Sequence, residues 1–135
     1  MAESIPMAGK YLVDTNIVIA IFSGDPSLTE RIRYPTELFL SVVVLGELHY
    51  GAAHSRKAAS NYAQIEAFAR ICTLVGVDNK TAVHYGDLKA SLRQKGRPIP
   101  ENDLWIAASA QQHGLSVATR DRHFSHVDGI AIENW

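Results

Sequence analysis

The sequence contains little cysteine and no long hydrophobic run, and both shortages limit what the chain can be. The single cysteine, Cys72, excludes an internal disulfide framework and a cysteine-based zinc site, and it suits a reducing compartment. The longest apolar stretch, residues 38–46, is interrupted by Ser41 and is much shorter than the ~20 residues that cross a bilayer. The first ten residues lack the apolar core of an export signal. These absences predict a cytoplasmic protein with no membrane association.

An excess of charge of one sign is also missing. The chain has 13 Lys and Arg against 14 Asp and Glu, a net charge of −1. This balance excludes a broadly basic surface that coats nucleic acid without selectivity, so any such contact would use local basic groups. Two local groups of basic residues qualify. One comprises Lys89, Arg93, Lys95 and Arg97 on a predicted helix and its exit, and the other comprises Arg120 and Arg122. The first group is equally typical of a solvated helix face.

The length and composition are those of one globular domain. Of the 135 residues 47% are hydrophobic and 20% are charged, which excludes a disordered linker and allows an ordinary core. No internal repeat or low-complexity segment divides the chain. We assign residues 10–135 to a single domain. Residues 1–9 form an N-terminal extension to which we give no structural role, either ordered or disordered.

Strand-like and helix-like segments alternate along this domain. Such alternation is typical of α/β architecture, and it predicts a mostly parallel sheet of four to five strands flanked by helices. Strands are predicted at 10–13, 37–41, 73–77, 115–118 and 129–132, and helices at 15–24, 26–34, 42–55, 57–72, 79–95 and 100–113.

Two aspartates follow predicted strands, at the edge where a parallel sheet gathers its functional residues. Asp14 comes directly after the strand KYLV, and Asp121 comes three residues after the strand LSVA. Each also has a structural alternative. Asp14 also suits the N-cap of the next helix, and Asp121 also suits a turn.

Two further acids lie on predicted apolar helix faces. The helical neighbours of Glu47 include Val43 and Val44, and those of Asp103 include Ile106 and Ala107. An ionised carboxylate on such a face is costly unless something pairs with it. The alternatives are an interfacial glutamate whose head reaches water, and an aspartate favoured by the dipole of its helix N-terminus.

Together the four acids indicate one site formed by distant parts of the chain. Carboxylates converge in this way either to hold a hard cation or to share a catalytic proton. Oxygen ligands select Mg²⁺ or Mn²⁺ over zinc, and a cation held there can act on a phosphate and activate a water.

Four runs in the same order resemble the motifs of PIN-domain nucleases, and the ending IENW at 132–135 is also similar. The runs are YLVDTN at 11–16, SVVVLGELHYG at 41–51, NDLWIAA at 102–108 and TRDRHF at 119–124. The resemblance covers nearly the whole chain from Lys10 onward. It is closest to the VapC-like toxins of bacterial toxin–antitoxin pairs.

The resemblance implies a PIN-like fold and an endoribonuclease that uses Mg²⁺ or Mn²⁺, with one or two ions per site. It also implies a homodimer inhibited by a small antitoxin protein. The family's acidic metal site corresponds to Asp14, Glu47, Asp103 and Asp121. The motif around Asp121 is the one that varies most among relatives. Asn16 and Thr119 correspond to polar positions beside the site, and Arg120 or Arg122 would steady a phosphate.

Two other functions remain open. A catalytically silent PIN-like module would keep the fold as a platform for a partner. A receiver-like signalling domain would need paired acids after its first strand and a lysine near its last. Asp14 has no acidic neighbour, and no lysine follows Lys95.

The histidines and the helix after Ser41 are two further features of the sequence. The six histidines show no metal-binding spacing, so we assign most of them to the surface, with His123 close enough to Asp121 to touch substrate. The predicted helix after Ser41 is apolar around most of its circumference, which predicts that self-association or a partner covers part of it.

Overall fold

The computed structural model describes residues 9–33 and 36–135. Its centre is a sheet of five parallel strands in the order β3-β2-β1-β4-β5, so the predicted α/β class is confirmed. The strands are β1 (Lys10–Val13), β2 (Glu37–Ser41), β3 (Thr73–Val75), β4 (Ser116–Thr119) and β5 (Ile132–Asn134). The helices are α1 (Thr15–Phe22), α2 (Pro26–Arg31), α3 (Val42–Ala53), α4 (Ala58–Ile71), α5 (Asn79–Gln94) and α6 (Glu101–His113), with a 3₁₀ helix at Arg122–His126.

The central strands are hydrophobic throughout because helices cover both faces of the sheet. Leu12 and Val13 of β1 and Val117 and Ala118 of β4 are fully buried. Continuous apolar runs of this kind are typical of parallel strands that are buried on both sides. β1 pairs with β2 on one side and with β4 on the other, so it occupies the middle of the sheet.

Several predicted boundaries are wrong, most clearly that of β5. We predicted this strand at 129–132, whereas it spans Ile132–Asn134 and pairs with Val117–Thr119. Gly129 has φ +83°, a left-handed conformation that forms a turn and that an extended strand does not contain. The third strand ends at Val75 rather than 77, because its partner β2 ends at Ser41 and leaves nothing further to pair with.

The other predicted elements differ at their ends by a few residues. β4 begins at Ser116 rather than 115, because the backbone N–H of Leu115 still bonds to the carbonyl of Ala110 in α6. The second helix ends at Arg31, and the predicted end at 34 lies outside the described residues. The predicted extension at 1–9 also lies outside them, apart from Gly9.

Parallel pairing places the ends of β1, β2 and β4 at one edge of the sheet. Asp14 follows β1, Ser41 caps α3 at the end of β2, and Thr119 is the last residue of β4. The N-terminus of α6 reaches the same edge, since α6 packs against α3, α5 and β4. Among the helices of the described segments, none is both long and apolar enough to cross a membrane.

Candidate active site

Asp14 lies at the centre of the sheet edge and is almost completely buried, with 4% of its surface exposed. Its Oδ1 accepts a hydrogen bond from the backbone N–H of Thr15 at 2.8 Å, so it is the N-cap of α1. Its Oδ2 accepts from the Thr119 hydroxyl at 2.7 Å and from Asn16 Nδ2 at 3.3 Å. The cap that the sequence offered as an alternative therefore exists, and the same carboxylate also faces the other acids.

Glu47 reaches the site from the second turn of α3. Its Oε1 accepts from the Thr15 hydroxyl at 2.7 Å, and its Oε2 accepts from Asn102 Nδ2 at 3.1 Å. The apolar surroundings predicted for this residue are found in part. Glu47 is half-buried, Val44 is buried and Tyr50 is exposed, while the two polar side chains hold the carboxylate.

Asp103 and Asp121 meet on the other side of Asp14. Asp103 is in the first turn of α6 and is 9% exposed, whereas Asp121 is half-buried at the start of the 3₁₀ helix. The imidazole of His123 lies between them. Its Nδ1 is 2.9 Å from Asp121 Oδ1 and 3.4 Å from Asp103 Oδ2.

Burial and mutual repulsion raise the pKa values of two of these acids. Burial raises the pKa of Asp14, and the charges of Glu47 and Asp121 add to this effect against the hydrogen bonds from Thr119 and Thr15. Burial likewise raises the pKa of Asp103 to about 6, with contributions from the charges of Asp14 and Asp121 and an opposing one from His123. All four acids predicted from the sequence therefore share one electrostatic environment.

Thr119 and Asn16 connect the strand ends around Asp14. The fully buried Thr119 hydroxyl donates to Asp14 and accepts the backbone N–H of Asp121 at 2.9 Å. Asn16 donates to Asp14 and accepts the backbone N–H of Arg120 at 3.1 Å. Both residues lie beside the acids, and their contacts fix the loop that carries Asp121.

The guanidinium of Arg120 does not face the acids, in contrast to its expected role at a phosphate. Its Nη2 donates to Asp25 Oδ2 at 2.8 Å, and its Nε donates to the carbonyl of Trp135 at 3.0 Å. The hydrogen bond from Arg120 holds the pKa of Asp25 below its usual range. Arg122 is exposed, and its guanidinium is not among the ion pairs of the described residues, in contrast to that of Arg120.

Two residues of the site were not identified from the sequence. Thr15 and Asn102 orient Glu47 although they lie 32 and 55 positions away in the chain. Both fall inside the motif runs around Asp14 and Asp103, which was the only available signal. His123 was noted as a neighbour of Asp121, but its approach to Asp103 was not expected.

The chemistry of this donor set fits a divalent cation. Four carboxylates crowd one sheet edge, and burial, together with the charges of neighbouring acids, raises the pKa values of Asp14 and Asp103. Asp103, Asp121 and His123 each offer one ligand atom within 4.8 Å of the others. Such a cluster of carboxylate oxygens is what hard divalent cations prefer.

Comparisons with known proteins identify the family of this chain. A family model described as PIN domain matches residues 11–130. Ribonuclease VapC2 of Haemophilus influenzae is 36% identical over 129 residues, which cover 93% of this chain and 98% of the relative. The tRNA(fMet)-specific endonuclease VapC of Salmonella typhimurium is 35% identical with the same coverage.

Solved structures extend the similarity to three dimensions. The chain matches the structure of DNA-bound VapBC from Salmonella typhimurium with a TM-score of 0.87 and 34% identity, covering 93% of this chain and 98% of that one. VapBC2 from Rickettsia felis, bound to a DNA fragment from its promoter, gives a TM-score of 0.85 and 30% identity with the same coverage. The chain therefore belongs to the PIN-domain family, as a VapC-like ribonuclease.

Proposed function

We propose that this chain is a divalent-metal-dependent endoribonuclease, the toxin of a VapBC-type pair, and that Asp14, Glu47, Asp103 and Asp121 hold the metal. The observation that carries the proposal is the crowding of these carboxylates at one sheet edge, where burial and like charge raise the pKa values of Asp14 and Asp103. Such repulsion costs stability, and a bound divalent cation would relieve it while the carboxylates stay ionised.

One or two Mg²⁺ or Mn²⁺ ions would supply a Lewis acid that polarises the scissile phosphate and makes an attacking water more acidic. The chain's own contribution is to orient the oxygen ligands. Thr119 and Asn16 hold the carboxylate of Asp14, and Thr15 and Asn102 hold that of Glu47. The exposed guanidinium of Arg122 is available to bind the phosphate backbone.

The decisive experiment measures RNA cleavage with Mg²⁺, with Mn²⁺ and with chelator. We expect wild type to cleave only with metal, and D14N, E47Q and D103N to lose cleavage while keeping the native circular dichroism spectrum. D87N, which removes a carboxylate from the exposed surface of α5, is the matched control and should cleave normally. A folded wild type that never cleaves RNA would favour the silent binding module.

The name of one relative indicates which RNA to test first. The Salmonella typhimurium relative is named as a tRNA(fMet)-specific endonuclease, so initiator tRNA is the first substrate to test. Mapping of cleavage ends on total RNA after brief expression then identifies other targets without bias. We place the protein in the cytoplasm, where such RNA is found.

We also propose a homodimer and a cognate antitoxin as partners, since the related structures are VapBC complexes. Apolar side chains on α1 and α3 remain exposed, with Ile19 at 56%, Val42 at 42% and Tyr50 at 70%. Exposed apolar surface of this kind marks interfaces. Light scattering should show a dimer or a complex, and a strict monomer at high concentration would contradict this part of the proposal.

A further inference from the structure

His123 differs from the other ligand candidates because it offers nitrogen to a cluster of carboxylates. Its Nδ1 is 2.9 Å from Asp121 Oδ1 and 3.4 Å from Asp103 Oδ2. One ligand atom from each of these three residues lies within 4.8 Å of the others. This spacing is compatible with a single ion that all three contact.

The backbone holds the ring at this place. Asp121 Oδ1 accepts the backbone N–H of His123 at 2.9 Å, which closes the turn at the start of the 3₁₀ helix. The next residue, Phe124, is fully buried and anchors that helix in the core. The His123 side chain is half exposed, so the ring is positioned by its turn while a cation can still reach it from solvent.

We propose that His123 Nδ1 is a direct ligand of the cation, together with Asp103 and Asp121, and that it shifts the preference of the site from Mg²⁺ towards Mn²⁺. The inference rests on the proposed metal-dependent function and adds to it a determinant of metal selectivity. Mg²⁺ binds oxygen ligands and gives up its waters reluctantly. Imidazole binds divalent transition-metal ions such as Mn²⁺ more strongly than it binds Mg²⁺. A nitrogen ligand therefore favours Mn²⁺ over Mg²⁺.

The alternative is that His123 only fills the gap between the two carboxylates and leaves when a cation binds. The two possibilities make opposite predictions for a bound ion. A ligand places nitrogen in direct contact with the metal, whereas a displaced ring does not.

The test uses tag-free protein in a nitrogen-free buffer, because a histidine tag would itself bind Mn²⁺. Electron spin-echo spectroscopy of the Mn²⁺-loaded protein should show coupling to one directly bound nitrogen in wild type. Coupling should be absent in H123Q and present in H126Q, whose histidine lies in the same 3₁₀ helix without an ion pair to an acid in the described structure. Uniform ¹⁵N labelling should change the signal, which shows that the nitrogen belongs to the protein.

Titration calorimetry gives an independent measure of selectivity. We expect H123Q to lose about tenfold or more in Mn²⁺ affinity and less than about threefold in Mg²⁺ affinity, while H126Q matches wild type. Thermal unfolding in chelator checks that H123Q is folded. Absence of nitrogen coupling in wild type, or equal losses for both cations in H123Q, would overturn the assignment of His123.

Failure of the inference is distinct from failure of the proposed function. If Mn²⁺ binds in a manner that needs Asp14 and Asp103 but shows no nitrogen coupling, only the role of His123 is wrong. If wild type binds neither cation, or if D14N and D103N bind both as well as wild type does, the metal site itself is wrong and the inference fails with it.

Discussion

Asp14, Asp103 and Asp121 each have a local structural role besides their place in the acidic cluster. Asp14 caps α1, Asp121 accepts the backbone N–H of His123, and Asp103 lies in the first turn of α6. Local and functional roles are compatible because a carboxylate has two oxygens with several acceptor positions. One oxygen of Asp14 satisfies the helix end, and the other faces Thr119 and Asn16. A single capping bond therefore does not argue against a site.

Thr119 provides a first prediction at this scale. Replacing it with valine removes the hydroxyl that donates to Asp14 and accepts from the backbone of Asp121. The N–H of Asp121 loses this partner, and Asp14 Oδ2 keeps only the longer bond from Asn16. We expect T119V to lose about 1–3 kcal/mol of the free energy of unfolding and to weaken Mg²⁺ binding about 10–100-fold.

The matched control for this prediction is T119S, which keeps the hydroxyl and should bind Mg²⁺ nearly as wild type does. Denaturant unfolding and calorimetric titration measure the two effects. Equal metal affinity in T119V and T119S would show that the hydroxyl does not position Asp14.

The raised pKa of Asp103 gives a second prediction, a pH dependence of stability without metal. Its pKa is about 6 in the folded protein against 3.8 in the unfolded chain, so the native state binds more protons between these values. This contribution to stability is complete below about pH 4 and is lost as the pH rises through 6. We expect D103N to gain up to about 3 kcal/mol relative to wild type between pH 4 and pH 7.

Denaturant unfolding in chelator at several pH values measures this difference. D87N serves as the control, because Asp87 is an exposed residue of α5 and its replacement should follow the wild-type profile. A constant difference between D103N and wild type across this range would show that burial and the neighbouring acids do not raise the pKa of Asp103.

At the scale of elements, α6 is the most informative segment because both of its ends have a defined task. Its first turn carries Asn102 and Asp103 to the site, and its last turn ends at Gly114, which leads directly into β4. Gly114 has φ +65°, and the backbone N–H of Leu115 bonds to the carbonyl of Ala110. The helix end thus sets where β4 begins and where Thr119 arrives at the sheet edge.

A third prediction compares two glycines with opposite backbone requirements. A Cβ added at Gly114 or at Gly86 meets nothing within 4 Å, so only conformation distinguishes them. G114A must adopt the left-handed region and should lose about 1–2 kcal/mol of unfolding free energy. G86A lies inside α5 and should gain about 0.5–1 kcal/mol, since alanine is the better helix former.

Denaturant unfolding compares both variants with wild type. Their metal affinities should remain unchanged, because neither residue contacts the acids in the described structure. Destabilisation of G86A, or unchanged stability of G114A, would contradict the assigned helix geometry.

At the scale of the whole molecule, the acidic cluster links stability to the bound cation. Elements that are far apart in the chain meet at the sheet edge, and their carboxylates repel one another until a cation neutralises them. A ligand that binds only the folded state stabilises it in proportion to the logarithm of its concentration. The stability of the fold therefore depends on the concentration of the proposed metal ion.

The fourth prediction is measured by melting curves with chelator and with Mg²⁺. Mg²⁺ or Mn²⁺ should raise the Tm of wild type. D14N should melt higher than wild type in chelator, because it removes a buried repelling charge, and it should lose most of the metal-induced rise.

Loss of the cap does not confuse this comparison, because asparagine caps helices about as well as aspartate. A metal-induced rise of equal size in wild type and D14N would show that Asp14 is a cap and not a ligand.

The sequence by itself determined the α/β class and the four acids, because both depend on local pattern. Alternating segments predict a parallel sheet, and Asp14 and Asp121 must then come to the same edge. Glu47 and Asp103 stood out because charged residues are costly on apolar helix faces. The start of β5 was missed, since the conformation of Gly129 was not visible in the apolar pattern.

Only the tertiary structure decided which side chains contact these acids. Arg120 pairs with Asp25, which is 95 positions away. This ion pair directs its guanidinium away from the acidic cluster, although Thr119 and Asp121 on either side of it lie there. His123 lies between Asp103 and Asp121, and Thr15 and Asn102 orient Glu47. Spacing along the chain indicates which residues lie on the same face of one helix or strand. The distance between side chains on different elements depends instead on how those elements pack. That packing is set by the whole core.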